Sequence, residues 1–278
     1  MESSPLDSTN VFRSFTARGV IRELPAAKTS VVLQHEEIPG FMPKMTMEFE
    51  VRDPNELRGL AVGDAIAFNI RATQEESWID SVRRTAEGEL ASPAPQDPSA
   101  SALLHVATLK PGDKMPDAEL IDEEGRTVRF SDFTGKAVAF TFIFTRCPLP
   151  NYCPRMNVNF GHARELLLQS IEGPANWQFL SISFDPEFDK PGVLNRYAFS
   201  YRGAITNQWL FAAAPANALA ALSPQLDFRF ASDRGNFQHN LRTVVLDAGG
   251  QVYRFFEGNK WTAEDLAASM AEAAVKKE

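Results

Sequence analysis

The stretch AVAFTFIFTRCPLPNYCPRM, residues 137–156, decides how the second half of the chain reads. Its first eight residues are apolar apart from Thr141, a length that suits a strand buried on both faces. Cys147 follows the C-terminal end of that run, and Pro154 marks the first turn of the next helix. Cys153 then lies at a helix N-terminus, where free N–H groups and the macrodipole favour a thiolate. The junction of a sheet strand with a following helix is where α/β folds place their chemistry.

Outward from this stretch, residues 177–184 form a second buried run, and 243–247 and 252–256 flank Ala248-Gly-Gly250 as a hairpin. Helical periodicity fits 154–171, 191–201, 215–222 and 262–275. Strands alternating with helices, then a hairpin and a terminal helix, predict a mixed α/β domain of thioredoxin type with helices on both sheet faces.

The first part of the chain reads differently. Five short runs, 18–24, 29–35, 45–51, 65–71 and 77–82, alternate apolar and polar residues and are separated by Pro, Gly and Asp turns. Five strands without a helix predict a small all-β barrel of the OB type. Between the two halves, Pro93, Pro95 and Pro98 stand among Ala and Ser with no period, apart from a short patch at 103–106. The expected division is therefore 13–86 for the β domain, 87–112 for a linker and 113–278 for the α/β domain. A free coil of that length reaches roughly 25–30 Å.

Composition excludes several classes. The 278 residues carry 28 Lys+Arg against 36 Asp+Glu, a net charge of −8, which offers no footprint for nucleic acid. The longest apolar run is far below the roughly 18 residues of a membrane span. The opening MESSPLD has neither the basic region nor the apolar region of a secretory leader. Two cysteines are too few for a disulfide scaffold but enough for one reactive pair.

That pair is the first candidate site. Six positions apart across a Pro-rich loop, Cys147 and Cys153 can meet as a disulfide or around a metal. His239, ahead of the late hairpin, is the best third donor; His105 falls in the linker and His162 in mid-helix. Two thiolates and an imidazole suit Cu(I) and can also hold Cu(II). The same residues equally describe an inert structural disulfide and a His that caps a turn.

The second candidate is IPGFMPKMTMEFEV, residues 38–51, which holds three of the seven methionines. Met45 and Met47 are two apart on a strand and share a face, with Glu48 and Glu50 on the other. His35 ends the preceding strand and is placed across from them by antiparallel pairing. Met42 precedes Pro43. Thioethers with one imidazole select soft Cu(I) and reject hard cations; as ordinary core methionines the same residues need no ligand at all.

Residues 19–84 resemble the periplasmic CusF-like copper-binding domain, whose site for Cu(I) or Ag(I) uses a His and the two Met of a Met-Thr-Met motif. The resemblance implies that role for His35, Met45 and Met47. The family's best-studied form stacks a Trp on the metal; its place here is taken by Met42, an additional thioether candidate. Residues 113–278 resemble the Sco/SenC family in the stretches 112–148, 181–191 (SISFDPEFDKP) and 237–258. The resemblance implies a thioredoxin fold and copper bound by Cys147, Cys153 and His239. It also implies service to assembly of the Cu(A) centre of cytochrome oxidase, with an oxidase subunit as copper acceptor. The family usually spaces its cysteines C-x3-C, whereas CPLPNYC is C-x5-C. Asp185 reads as a near-site or docking residue, or as a loop cap.

The function these readings imply is a two-site copper metallochaperone working in the periplasm, where thiol chelators are scarce. Thiolates bind Cu(I) more tightly than thioethers, so loading on the methionines first is expected. The alternatives are a thiol–disulfide oxidoreductase acting on the cysteines of a copper-site apoprotein, and sequestration of copper or silver.

Overall fold

The structure is a computed structural model that describes residues 13–42, 44–73, 76–85, 107–170, 173–205, 207–233 and 236–276. The chain divides into two compact units. Most of the expected linker, residues 87–106, lies outside the described residues, as does His105. Residues 107–112 belong to the second unit: the Leu109 amide donates to the Gln225 carbonyl (2.7 Å) and that of Gly112 to Val252 (2.8 Å).

The first unit is all-β. β1 (Arg13–Glu23), β2 (Ser30–His35), β3 (Met45–Glu50), β4 (Ala65–Ala72) and β5 (Ser77–Arg84) form one antiparallel sheet in the order β3-β2-β1-β4-β5. The period-two pattern sends Ile21, Val31, Leu33, Phe49, Ile66, Phe68, Ile70 and Ile79 into a core. Among the described residues no ladder closes the sheet. Among them, Val51, just beyond β3, meets Ile79 of β5 at a single parallel bridge. The expected all-β domain is present, and the expected closed barrel is reduced to that one bridge.

The second unit is built on a mixed sheet of seven strands, β14-β13-β8-β9-β10-β6-β7. Its elements are β6 (Glu119–Asp122), β7 (Thr127–Arg129), β8 (Ala137–Ile143), α1 (Cys153–Gln169), β9 (Trp177–Ser183), α2 (Pro191–Arg202), β10 (Trp209–Ala213), α3 (Ala216–Gln225), β13 (Arg242–Leu246), β14 (Val252–Glu257) and α4 (Ala263–Val275). A separate two-stranded ribbon, β11 (Phe230–Asp233) with β12 (Asn236–His239), precedes β13. β8, β9 and β10 are parallel, and β13 runs antiparallel to β8.

β8 is an interior strand between β13 and β9, and every one of its residues is buried, as an uninterrupted apolar run requires. α1 buries Met156, Phe160, Ala163 and Leu167 at helical spacing. α4 begins with a capping box, Thr262 with Asp265. β8–α1–β9 followed by a hairpin and a terminal helix is the expected thioredoxin-type order, here extended by β10, β6 and β7. The sequence reading omits those three strands and the ribbon.

Candidate metal centre

The end of β8 delivers Cys147. Beyond Ile143 the chain leaves the sheet, and the Cys147 amide donates to the Phe144 carbonyl (3.2 Å). Two acids from the loop after β9 hold this exit. Asp189, fully buried, accepts from the Thr145 amide (3.0 Å), the Thr145 hydroxyl (2.5 Å) and the Ser183 hydroxyl (2.5 Å). Asp185 pairs with Arg146 at 2.6 Å, and the guanidinium lies over Phe188, 4.1 Å from its centroid. Asp185 is thus an anchor of the residue before Cys147. Asp189, to which the sequence reading gave no role, grips Thr145 directly; the signal was present in the acidic spacing of Asp185-Pro-Glu-Phe-Asp189.

Cys153 is the first residue of α1 and is fully buried. His239 ends β12 and is half-buried among aromatic rings: Phe184 at 5.0 Å, Phe144 at 5.7 Å, Tyr152 at 6.1 Å and Phe228 at 6.3 Å between centroids. Its Nδ1 faces the Asn240 carbonyl at 3.0 Å. A carbonyl only accepts, so Nδ1 carries the proton and Nε2 keeps its lone pair. Nε2 lies 3.8 Å from Cys153 Sγ. The ligand atoms of Cys147, Cys153 and His239 all fall within 4.8 Å of one another. Neither cysteine is in a disulfide. Three donors chosen from distant positions in the chain therefore converge.

The charge in this cluster sits on the opposite sulfur from the one the helix end suggests. Burial works against ionising Cys147, but its interactions with Cys153 and His239 outweigh it and bring its pKa down to about 5. Burial, together with the neighbouring Cys147 sulfur, pushes the Cys153 thiol well above its usual range. The expectation that Cys153 is the thiolate is corrected on that ground. Two adjacent buried sulfurs share one proton, and the more enclosed one keeps it.

The thioether candidates lie in the first unit. His35 stands directly opposite Met45 in the β2–β3 ladder, with Met47 opposite Leu33. Met45 and Met47 are half-buried, His35 is fully buried and Met42 is 2% exposed. Met42 is fixed by a tight turn in which Met42 and Ile38 exchange backbone hydrogen bonds (2.7 and 3.0 Å). The His35 Nδ1 faces the Glu36 carbonyl at 2.6 Å, while Nε2 is buried without a hydrogen-bond partner among the described residues. Burial lowers the pKa of this ring to about 4, so it is neutral at physiological pH. A neutral imidazole with one nitrogen fixed and the other bare is able to bind a soft cation, and leaving that nitrogen unpaired costs about 1–3 kcal/mol. Of the remaining histidines, His162 is exposed on α1.

The family model described as SCO1/SenC matches residues 107–275. This chain belongs to the SCO1/SenC family. Residues 14–84 match a second model, described as copper binding periplasmic protein CusF. No curated protein matches the chain by sequence. Among solved structures, a SCO1/SenC family lipoprotein from Bacillus anthracis is similar at 22% identity and a TM-score of 0.53, covering 60% of this chain and 99% of that one. BsSco, described as a member of the Sco family of cytochrome c oxidase assembly proteins with a disulfide switch, gives 20% identity and 0.51 over 61% and 98%. Yeast Sco1 with copper bound gives 18% and 0.50 over 60% and 91%. At these identities the likeness is one of fold.

Proposed function

We propose that this SCO1/SenC-family chain is a two-site copper carrier, with copper as its cargo. The single observation that carries the reading is the convergence of Cys147, Cys153 and His239 within 4.8 Å, in a family whose yeast relative is described with copper bound. One thiolate, one thiol that loses its proton on binding, and one imidazole with a free Nε2 form a set that favours Cu(I) and accommodates Cu(II). His35, Met45 and Met47, with Met42 in addition, supply the second, thioether site, supported by the bare Nε2 of His35 and the CusF match. OB-like closure of that unit is part of the reading, supported by the Val51–Ile79 bridge.

In this reading Cu(I) loads on the thioethers and moves to the thiolates, which hold it more tightly. The domains are 13–86 and 113–278, with 107–112 packed on the second, and the segment between them keeps transfer intramolecular. Delivery outside the cytoplasm, to the Cu(A) centre of a cytochrome oxidase subunit, is part of this reading, supported by similar proteins described as periplasmic, lipoprotein and oxidase-assembly proteins. No helix among the described residues is long and apolar enough to cross a membrane. The test is copper content and spectra after reconstitution of wild type, Cys147→Ser and His239→Ala. A thiolate-to-Cu(II) charge-transfer band that survives in Cys147→Ser overturns the site.

A second reading is favoured by the low pKa of Cys147 beside a free Cys153. As a thiol–disulfide oxidoreductase, Cys147 attacks a partner's disulfide and expels one thiolate. Cys153 then loses its proton, displaces the second, and leaves Cys147–Cys153 oxidised and the partner reduced. His239→Ala separates the two readings, because it removes a copper ligand but leaves both sulfurs.

A further inference from the structure

We infer that Asn240 is a positioning residue for His239, an inference that rests on the reading of Cys147, Cys153 and His239 as a metal site. His239 is not carried by the main sheet. It ends a four-residue strand of a two-stranded ribbon, an element that does not hold its own geometry in water. What fixes the base of the ribbon is Asn240. Its amide donates to the Arg229 carbonyl (3.1 Å), its Oδ1 accepts from the Arg229 amide (2.8 Å), and its Nδ2 donates to the Asp227 carbonyl (2.8 Å). The carbonyl of the same residue accepts the Nδ1 proton of His239.

The segment that Asn240 grips is itself braced. Arg242, nearly buried, donates to the Asp227 carboxylate (2.6 Å) and contacts its carbonyl (3.4 Å). Asp227 has φ +48°, a left-handed conformation that a non-glycine residue keeps only when its surroundings impose it. Phe228, next in the chain, stacks on Phe142 of β8 at 4.0 Å. A path of contacts thus runs from β8 through Phe228 and the 227–229 turn to Asn240, and from the Asn240 carbonyl to the imidazole. Asn suits the position because one side chain must donate and accept at once; Asp cannot donate and Ala does neither. Outer groups that orient a ligating His typically change metal affinity 10–100-fold when removed.

The experiment uses the full chain, reduced and metal-free, as wild type, Asn240→Ala and Asn240→Asp. Long-range 1H–15N spectra read the His239 tautomer, and competition titration with Cu(II), followed by the nitrogen hyperfine signature, reads ligation. Wild type is expected to hold a single Nδ1–H tautomer. Asn240→Ala is expected to mix tautomers and to lose about 10–100-fold in Cu(II) affinity, with Asn240→Asp between the two. Retention of the Nδ1–H tautomer and of full Cu(II) affinity in Asn240→Ala overturns the proposal, and does so even if the melting temperature falls, since that change alone marks a purely structural residue. Should wild type show no His239 nitrogen signature, the metal reading fails, while the tautomer in the metal-free variants still decides whether Asn240 positions the ring.

Discussion

Asp189 holds Thr145 by both its backbone amide and its hydroxyl, two residues before Cys147. The carboxylate thereby ties the exit of β8 to the loop after β9, and the position of Cys147 depends on a residue 42 places further along the chain.

Asp189→Ala leaves three donors without their acceptor in a buried place. Replacement is expected to destabilise the second unit by about 3 kcal/mol and to weaken copper at the Cys site about 10–100-fold. Thermal unfolding and competition titration measure the two effects. Full copper affinity in a destabilised Asp189→Ala would separate fold support from site support.

The asymmetry of the two sulfurs gives a second expectation. Iodoacetamide should label Cys147 in preference to Cys153, with a rate midpoint near pH 5, because Cys147 carries the thiolate. His239→Ala removes a group that helps hold the Cys147 pKa down, so the midpoint should move upward. Mass spectrometry of the labelled peptides across pH 4–9 reads both. Preferential labelling of Cys153 would reverse the assignment of the charge.

Much of this site was legible in residue types and little of it in spacing. The apolar run 137–144 marked the strand, Pro154 the helix start, and the two sulfurs and His239 the donors. Their convergence depends on a ribbon of four-residue strands, too short for any period to show. Asn240, Asp189 and Thr145 escaped because they act through backbone groups, which no side-chain pattern records. β10, WLFAA, was missed because a strand buried on both faces does not alternate, and it leads into an alanine-rich helix. Sequence points to Cys153 as the thiolate because a helix end is readable there, whereas complete burial beside a second sulfur is not. In the first unit the alternation was strong enough to give all five strands, and pairing His35 with Met45 followed from it.

His35 makes the metal-free first unit sensitive to acid. Its pKa is about 4 in the fold, held down by burial, against 6.5 in the unfolded chain. Above pH 6.5 both states are neutral and the ring contributes no slope. Between 6.5 and 4 the unfolded chain takes up a proton that the folded one refuses, so stability falls as pH drops, by roughly 3 kcal/mol over the window. NMR titration of the His35 ring should show a midpoint near 4. Urea unfolding followed on β2 and β3 amides should lose that slope in His35→Gln. A ring that titrates near 6.5 in the folded protein would contradict the burial on which the thioether site depends.

Gly19 lies opposite His35 in the β1–β2 ladder, and the strands approach so closely there that no side chain fits. A Cβ at position 19 would stand 2.8 Å from the Gln34 carbonyl oxygen and 3.2 Å from the His35 Cα, both backbone atoms that cannot swing aside. Gly19→Ala must therefore push β2 away from β1 at the residue that presents the bare Nε2. The expected outcome is a loss of about 1–3 kcal/mol from the first unit, with Cu(I) affinity at the thioether site falling in parallel and the Cys147–Cys153–His239 site unchanged. Gly161 provides the contrast within the same chain: a Cβ there meets nothing closer than the Trp209 ring at 3.8 Å, so Gly161→Ala in mid-helix should stabilise by about 0.5–1 kcal/mol. Denaturant titration of the two variants, with Cu(I) competition on each, checks both signs. A Gly19→Ala protein with wild-type stability and wild-type Cu(I) affinity would mean that β1 and β2 are not packed as tightly at His35 as the fold requires.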